Sequence, residues 1–264
     1  MKKDFQDQMG RSIDIEWPPK RIISLVPSQT ELLHWLGLGE EVIAITKFCV
    51  HPEEWFHSKD RIGGTKKFDF EKIAALKPDL IIGNKEENEE EQIKQLMEKY
   101  PVWMSDIHDL EDAYEMMRRV GEVVDRKDKA IELVSEIKEA FVNLKLLKKP
   151  AKRAAYFIWR DPYMVAGHDT FLNNMLKQCN LENVFEFNEG RYPSVSKENI
   201  KEKSPELILL SSEPYPFKPK HIDELRQICP TSKIGLVDGE YFSWYGSRLL
   251  DAPAYFNKVL SEIE

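Results

Sequence analysis

Aromatic and basic side chains follow several of the strands that the sequence predicts. Phe48 and Lys66 come after short apolar runs in the first half of the chain, and Trp159, Tyr192 and Trp244 do so in the second half. Ligands of open α/β sheets bind beyond the carboxyl ends of the strands, so ligand-binding residues are expected at these positions. Flat rings beside Gly and Pro suit a large, partly apolar ligand. The pattern predicts a surface for such a ligand.

Polar and cationic neighbours at the same predicted strand ends complete the candidate site. The predicted ligand-binding residues are Gln29, Phe48, Lys66, Asn84, Trp159, Arg160, Tyr192, Trp244 and Tyr245. The alternative is that the rings are core residues that fill the gap between two lobes, because most aromatic side chains in proteins are buried. Cations between the rings, Arg191 among them, favour ligand binding over this alternative.

Motifs of known enzyme classes are absent from the sequence. The stretch LGLGEE has the G-x-G spacing of a dinucleotide loop, but it follows a predicted helix rather than a strand. G-x-S-x-G, P-loop and H-E-x-x-H patterns do not occur, and the six histidines lack the spacing of a metal set. His51 and His168 lie in predicted loops, where they are candidates for axial ligands of a bound chelate. We therefore predict no catalytic residue, no resident metal and no intrinsic cofactor.

Composition places the chain among ordinary globular proteins. Hydrophobic residues make up 42% of its 264 residues, yet no apolar run approaches the roughly 18 residues of a membrane-spanning helix. A net charge of −8 disfavours nucleic acid as a partner, since phosphate binding needs clustered cations. Cys49, Cys179 and Cys229 are far apart and form no C-x-x-C pair, which predicts buried, inert thiols.

The sequence segments that form the elements positioning the candidate site occur twice, as an internal repeat. EKIAALKPDLII begins at Glu71 and ENIKEKSPELIL begins at Glu198, 127 positions later (198 − 71). Lys-Arg pairs at Lys20 and Lys152 precede the two phrases and are 132 positions apart (152 − 20). Self-similarity in the same order indicates a duplicated unit.

Each repeated phrase predicts a short helix, a stop and a buried strand. Residues 71–76 have helical spacing, and Pro78 ends the helix because proline disfavours the helical conformation in the residue before it. Residues 80–82 form the continuous apolar run of a parallel strand that is buried on both faces. Pro205 and residues 207–210 repeat the arrangement. Alternating helices and strands predict an α/β fold with parallel-type sheets.

A helix-rich segment lies between the halves. Residues 127–148 predict one long helix of about 33 Å, at roughly 1.5 Å per residue. We predict an N-terminal α/β lobe at residues 1–110, a helical linker at 111–149 and a C-terminal α/β lobe at 150–264. The acidic run from Glu86 predicts a helix start, and the proline-rich segment 213–220 predicts a surface loop.

Five segments taken together resemble one known family. They are RIISLVPSQTELLHWLGL, RIGGTKKFDFEKIAALKPDLII, WRDPYMVAGHDTFLNNML, YPSVSKENI and YFSWYGSRLL. Over about residues 15–262 the chain is similar to the class III substrate-binding proteins of ABC importers, and most of all to the cobalamin-binding members. The resemblance implies two lobes, each with a central sheet and helices, joined by one backbone helix, with the ligand in a cleft between them. The ligands of the family are vitamin B12, ferric siderophores and haem.

The resemblance also implies roles for individual residues. Aromatic walls of the family's cleft stand at the positions of Phe48, Lys66, Asn84, Trp159, Tyr192 and Trp244, two of which are not aromatic in this chain. A surface Glu of each lobe docks onto arginines of the membrane permease, and by motif these are Glu71 and Glu198. Both acids also stand at predicted helix starts, where the helix dipole favours them whether or not a partner binds.

We predict a monomeric solute-binding component of an ABC importer, whose partners are a permease dimer and a cobalt- or iron-containing chelate. A corrinoid is the first expectation for the chelate, and a ferric siderophore or haem is the alternative. A tetrapyrrole chelatase-like enzyme, with His51 and His168 facing across the cleft, is the alternative from another class. The resemblance implies an extracytoplasmic, periplasmic location. The first 21 residues lack the apolar stretch of a signal peptide, which leaves a cytoplasmic location open.

Overall fold

The computed structural model describes residues 1–145 and 150–263, which form two compact units. Unit 1 comprises Met1–Ile107, Glu111–Glu136 and Tyr245–Arg248. Unit 2 comprises His108–Leu110, Ile137–Trp244 and the segment from Leu249 onward. No helix in these described ranges has both the length and the apolar character that a bilayer crossing requires. The lobe and linker limits given above stay a prediction.

Unit 1 is built on a parallel sheet. An antiparallel hairpin of β1 (Lys2–Gln6) and β2 (Ser12–Glu16) precedes it. The sheet strands are β3 (Ile22–Ser24), β4 (Val42–Ile45), β5 (Asp60–Arg61), β6 (Leu80–Asn84) and β7 (Val102–Ser105). Their spatial order is β5-β4-β3-β6-β7, and every pair is parallel. The helices of the first half are α1 (Pro27–Trp35), α2 (Glu53–Ser58), α3 (Phe70–Leu76), α4 (Glu90–Met97), α5 (Leu110–Val123) and α6 (Lys127–Lys145).

Unit 2 is built on a mixed sheet. Its strands are β8 (Lys152–Trp159), β9 (Tyr163–Val165), β10 (Leu181–Asn183), β11 (Ser194–Val195), β12 (Leu207–Ser211) and β13 (Lys233–Val237). Their order is β11-β9-β8-β12-β13, and β10 also pairs with β8. The helices are α7 (Phe171–Gln178), α8 (Lys197–Lys203), α9 (Pro219–Ile228), α10 (Gly239–Ser243) and α11 (Ala252–Ile263), and a 3-10 turn spans Ser247–Leu250.

The predicted α/β class is confirmed in both units, but one edge of the second sheet is not parallel. β9 pairs antiparallel with β8, and β11 pairs antiparallel with β9. Residues 160–162 alone connect β8 to β9, and so short a connection allows only an antiparallel pair. A parallel pair needs a crossover of about a dozen residues.

The repeated phrase has the same structure in both units. Helices α3 and α8 each end before a residue in the left-handed backbone conformation, Lys77 with φ 48° and Ser204 with φ 44°. A proline follows each of these residues, so the helix cannot continue. β6 and β12 then begin at Leu80 and Leu207, again 127 positions apart (207 − 80). The predicted helix and strand of the phrase are confirmed.

Equivalent isoleucines fill the core beside each repeated phrase. Ile73 of α3 and Ile81 of β6 pack in the core of unit 1, and Ile200 of α8 and Ile208 of β12 pack in the core of unit 2. All four side chains are fully buried. Burial of a whole Ile side chain contributes roughly 1.5–3 kcal/mol, so these residues attach each short helix to its sheet.

A carboxylate joins each repeated phrase to the neighbouring strand. Asp79 accepts the backbone N–H groups of Lys20 (2.7 Å) and Arg21 (2.8 Å). Glu206, 127 positions later (206 − 79), accepts the backbone N–H of Arg153 at 3.0 Å. In each unit, the acid before the second strand therefore binds the start of the first strand.

The arginine of each Lys-Arg pair binds the carboxyl end of the helix in the repeated phrase, α3 or α8. The Nε–H of Arg21 donates to the carbonyl of Leu76 at 3.0 Å, and an Nη1–H of Arg153 donates to the carbonyl of Ser204 at 3.2 Å. The last carbonyls of a helix lack partners within the helix, so these guanidinium groups satisfy them and complement the dipole.

Three predicted details differ from the structure or fall outside it. The proline-rich segment was expected on the surface, but Phe217 lies in the core of unit 2 and α9 already begins at Pro219. The acidic run starts before its helix, since Glu86 lies in a turn and α4 begins at Glu90. The expected end of the long helix at residue 148 lies outside the described residues.

The cysteines are free thiols. Cys49 and Cys229 are buried and Cys179 is half-buried. Burial raises the pKa of all three thiols, which keeps them protonated and poorly nucleophilic.

The segment Tyr245–Arg248 is fixed on unit 1 by an ion pair. Arg248 donates from Nε to one oxygen of Glu31 at 3.1 Å and from Nη2 to the other at 2.7 Å. The two side chains are only 12% and 23% exposed. Beside them Gly246 approaches Ser28 closely, because a Cβ at position 246 would lie 2.8 Å from the carbonyl oxygen of Ser28. A two-point, partly desolvated pair is stronger than a surface pair.

Removal of this cation is expected to destabilise the protein. Arg248→Met keeps most of the aliphatic stem but leaves the Glu31 carboxylate without its counter-charge. We expect a loss of about 1–3 kcal/mol in the free energy of unfolding, measured in urea at neutral pH. Arg226→Met, which removes the exposed pair with Asp223, is the control and should cost under about 1 kcal/mol. Equal losses in the two variants would show that the Arg248–Glu31 pair contributes no more than a surface pair.

Candidate ligand-binding site

Gln29 and Asn84 are buried in unit 1 with exposures of 0% and 1%. Their side-chain amides both donate to the hydroxyl of Ser105, at 2.6 and 3.0 Å. The Asn84 carbonyl oxygen accepts the backbone N–H groups of Glu86 (2.9 Å) and Glu87 (3.0 Å). These two predicted ligand-binding residues therefore hold together the carboxyl ends of β6 and β7 and the turn that follows.

Phe48 and Lys66 come together on unit 1. Both line an open cavity of about 690 Å³ that is formed by Lys47, Phe48 and residues 63–69, and we call it the Phe48 cavity. The Phe48 ring is 51% exposed, which is unusual for a large apolar side chain. An open cavity with an exposed ring is a surface on which a flat apolar group can bind.

The turn that forms one wall of the Phe48 cavity requires glycine. Gly63 has φ +100°, and a Cβ there would lie 2.4 Å from a backbone oxygen. At Gly64 a Cβ would lie 3.1 Å from the Phe48 ring, so a larger residue would displace the ring. The far side of the turn is held by Asn88, whose amide donates to the carbonyl of Thr65 at 3.0 Å.

Trp159 forms an aromatic surface at the end of β8 in unit 2. Its ring is 40% exposed and packs edge-on against Tyr215, with 5.7 Å between ring centroids. Tyr215 in turn packs against Phe217 at 4.8 Å, so the exposed ring has a rigid base. Trp244 differs, because its ring is buried and its indole N–H donates to a carboxylate oxygen of Glu213 at 3.0 Å.

Arg160 is engaged by acidic side chains of unit 2. It donates to both oxygens of Glu224 at 3.0 and 3.2 Å and also pairs with Asp161. The hydroxyl of Tyr163 donates to the same Glu224 carboxylate at 2.6 Å. Burial raises the pKa of Glu224, but the hydrogen bonds from Arg160 and Tyr163 outweigh it and leave that pKa below its ordinary value. Desolvation and the bond to Glu224 raise the pKa of Tyr163.

The two remaining predicted tyrosines have different surroundings. Tyr192 is half-buried in unit 2, with the guanidinium of Arg191 5.8 Å from its ring centroid. Arg191 itself donates to the backbone carbonyl of Asp169 at 2.7 Å. Tyr245 is buried and belongs to unit 1, although Trp244 before it belongs to unit 2.

The two histidine candidates for axial ligands belong to different units. His51 is half-buried in unit 1, and His168 is exposed in unit 2. Within residues 1–145 and 150–263, no three His, Cys, Asp or Glu side chains are arranged to hold a metal ion.

Sequence reasoning missed several residues that shape these surfaces. Lys47 and Lys67 flank the Phe48 cavity, and Tyr215 supports Trp159. Both lysines are next in sequence to residues that were predicted from their position after a strand, so the same reasoning could have included them. Tyr215 carried no such signal, because a proline-rich segment predicts a loop without indicating which ring it packs against.

Two α/β units with exposed rings at strand ends are the kind of surface on which a protein binds a small molecule. The sequence model of the periplasmic binding protein family matches residues 22–228. The chain therefore belongs to the periplasmic binding protein family.

Known proteins similar to this chain include substrate-binding proteins of several bacteria. A vitamin B12-binding protein of Pectobacterium carotovorum is 24% identical over 237 residues, which cover 88% of this chain and 85% of the relative. An ABC transporter substrate-binding lipoprotein of Bacillus subtilis, YvrC, is 28% identical over 215 residues, with 78% and 68% covered.

Solved structures share the fold over nearly the whole chain. The periplasmic vitamin B12 binding protein of Vibrio cholerae superposes with a TM-score of 0.79 at 20% identity, covering 93% of this chain and 98% of that protein. The periplasmic haem-binding protein RhuT of Roseiflexus superposes with a TM-score of 0.76 at 20% identity, covering 91% and 98%.

These comparisons confirm the predicted class. The family and the relatives are substrate-binding proteins and not enzymes, so the chelatase-like alternative is wrong. A protein of this class binds a small molecule and works with a transporter, and its members are periplasmic or anchored as lipoproteins.

The Arg160–Glu224–Tyr163 network predicts a pH-dependent contribution to stability. The pKa of Glu224 is lowered in the folded protein, so its contribution is present above the ordinary carboxyl pKa and is lost as the pH falls through the folded value. We expect Glu224→Gln to cost about 1–2 kcal/mol at pH 7 and less near pH 3, measured by urea unfolding. Glu189→Gln, an exposed acid of the same unit, should show no such difference. A cost for Glu224→Gln that stays equal at both pH values would contradict the assignment.

Proposed function

We propose that this protein is the solute-binding component of an ABC importer and that its solute is a metal chelate of the corrinoid type. The observation that carries the proposal is the pair of exposed rings at strand ends, Phe48 on unit 1 and Trp159 on unit 2. Exposed rings on rigid supports are large, flat and apolar, which matches the face of a macrocyclic chelate. Similarity to vitamin B12-binding proteins over most of the chain supports the same ligand class.

A ferric siderophore or haem is the second candidate. The lysines around Phe48 favour it, because they provide cations for an anionic chelate. In either case the chelate is cargo, and the protein supplies the surface that binds it.

Within the proposed site, exposure separates contact residues from supporting ones. We assign direct contact to the residues with accessible side chains, which are Phe48, Lys66, Trp159 and Tyr192. The remaining candidates are buried or engaged by other side chains and are assigned a positioning role. They are Gln29, Asn84, Arg160, Trp244 and Tyr245.

We further propose that the protein is extracytoplasmic and that, as a monomer, it docks on a permease dimer through Glu71 and Glu198. Each acid is exposed and occupies the second position of its helix, α3 or α8. Hydrogen bonds from its own backbone N–H and from Ser196 lower the pKa of Glu198, which keeps this carboxylate ionised. Exposed acids at equivalent places suit pairing with arginines of a two-fold partner.

Truncation of either exposed ring should weaken chelate binding. Base-on-aromatic stacking is worth roughly 1–3 kcal/mol per ring, so Phe48→Ala and Trp159→Ala should each raise the Kd for cyanocobalamin about 5- to 150-fold. Isothermal calorimetry measures this without relying on the tryptophan that is removed. Val142→Ala, which trims an exposed side chain of α6, is the control and should leave the Kd unchanged. Unaltered affinity in both ring variants would reject the proposal that these two rings contact the chelate.

Reversal of the two docking acids should uncouple the protein from its permease. Glu71→Arg with Glu198→Arg should leave ligand affinity unchanged and abolish stimulation of the reconstituted transporter's ATPase activity. Loss of the favourable dipole interaction alone predicts a stability cost of at most about 1 kcal/mol per site, with stimulation intact. Glu53→Arg with Glu90→Arg reverses first-turn acids of α2 and α4 and provides the matched control. Full stimulation by the first pair would exclude docking through these acids.

A further inference from the structure

Three lysines line the cavity that the exposed ring of Phe48 also lines. Lys47, Lys66 and Lys67, which we call the lysine cluster, all line the Phe48 cavity and are exposed. The acid in the same lining is Asp69, whose carboxylate accepts the backbone N–H of the third residue of α3 at 3.0 Å and so caps that helix. The cavity is therefore cationic in a protein whose net charge is −8.

The charges of the lysine cluster are not neutralised by ion pairs. Among the described residues 1–145 and 150–263, no carboxylate lies within ion-pair distance of Lys47, Lys66 or Lys67. The ammonium of Lys66 donates to the backbone carbonyl of Glu86 at 2.7 Å, and that of Lys47 lies 5.1 Å from the centroid of the Phe48 ring. Like charges this near in sequence repel one another, so an anion that joins them relieves the repulsion.

The backbone that carries the lysine cluster is held firmly. Gln92 of α4 accepts the backbone N–H of Phe68 at 2.7 Å, and its amide donates to the carbonyl of Lys66. The backbone N–H of Gly64 donates to the carbonyl of Lys67 at 2.9 Å. A turn fixed at both ends loses little freedom when a ligand binds, so its contacts contribute more of their energy to affinity.

We propose that the lysine cluster is an anion subsite that binds carboxylate or phosphodiester groups at the edge of a chelate lying on Phe48. The inference rests on the proposed function, since it assigns the charge of the solute bound at the same site. Ammonium groups form short, charge-assisted hydrogen bonds with such oxyanions. A volume of about 690 Å³ suits part of a chelate rather than a lone inorganic ion.

This arrangement predicts that the protein binds an anionic chelate more tightly than an uncharged chelate of similar shape. A chelate that keeps its shape but loses its peripheral anions retains the contact with Phe48 and loses the contacts with the ammonium groups. Removal of the anion should therefore weaken binding to the unaltered protein at least about tenfold, and added salt should reduce the difference because the cluster is exposed.

The test pairs two chelates with their anion-free analogues. Haem is compared with haem dimethyl ester, which lacks free carboxylates, and cyanocobalamin with cobinamide, which lacks the nucleotide together with its phosphodiester. The Kd of each compound is measured by absorbance titration at low and high salt for three proteins. The first is the unaltered protein. The second, which we call the cluster variant, combines Lys47→Gln, Lys66→Gln and Lys67→Gln. The third is a control variant that combines Lys2→Gln, Lys99→Gln and Lys258→Gln. Both triple variants remove the same charge from exposed positions.

The proposal expects the unaltered and control proteins to prefer the anionic member of at least one pair about tenfold or more. The cluster variant should lose that preference, because its Kd for the anionic member should rise about tenfold more than its Kd for the anion-free member, whereas the control variant should keep the preference of the unaltered protein. A preference within the haem pair that the cluster variant loses identifies carboxylates as the anion, and a preference within the cobalamin pair that the cluster variant loses identifies the phosphodiester.

Two results would overturn the inference without touching the proposed function. One is chelate binding by the unaltered protein with no preference in either pair, and the other is a preference that survives in the cluster variant. A failure of the unaltered protein to bind any of the four compounds would instead overturn the proposed function for these chelates, and the anion subsite with it.

Discussion

The acid that precedes the second strand of each repeated phrase sets the register on which the two sheets depend. Asp79 binds the start of β3, and Glu206 binds the start of β8, while Arg21 and Arg153 cover the helix ends in return. A whole helix or more separates each pair of strands in sequence, so no tight turn fixes their register, and a slip by one residue would turn every side chain to the other face. The carboxylate prevents that slip, and the far ends of the strands, where the exposed rings lie, are positioned as a result.

The duplicated units keep this scaffold and differ at the carboxyl ends of their strands. Buried polar residues end the equivalent strands, Asn84 in β6 and Ser211 in β12, but Asn84 bonds Ser105 whereas the Ser211 hydroxyl bonds the hydroxyl of Tyr156 at 3.1 Å. Beyond these polar ends, unit 1 presents a cationic cavity around Phe48 and unit 2 presents a supported tryptophan. The two units therefore differ in the loops beyond their strands, where a change of residue leaves the helix stops and strand registers unaltered.

The sequence predicts more of the fold than of the candidate site. Apolar runs, prolines and the repeat predict α3, β6, α8 and β12, because these signals are local and each was present twice. The antiparallel β9 and the buried Phe217 depend on short connections and on packing that such signals do not describe. At the site, the sequence predicts which residues lie at strand ends, but it does not predict which of their side chains are exposed and which point into the core. Gln29 and Asn84 turn inward because Ser105, brought near by the parallel pairing of β6 and β7, offers them a hydroxyl.

Ligand contact and docking are assigned to residues that lie close together along the chain in each unit. In unit 1 the turn that bears Lys66 ends at Asp69, which caps α3, and Glu71 occupies the first turn of that helix. In unit 2 Tyr192 precedes β11, after which Ser196 caps α8 and Glu198 follows. In each unit, the residue that caps the helix thus lies between the proposed ligand-contact residue and the proposed docking acid. Because a cap fixes the backbone at the junction between turn and helix, each docking acid is held at a defined distance from the contact residue of its own unit.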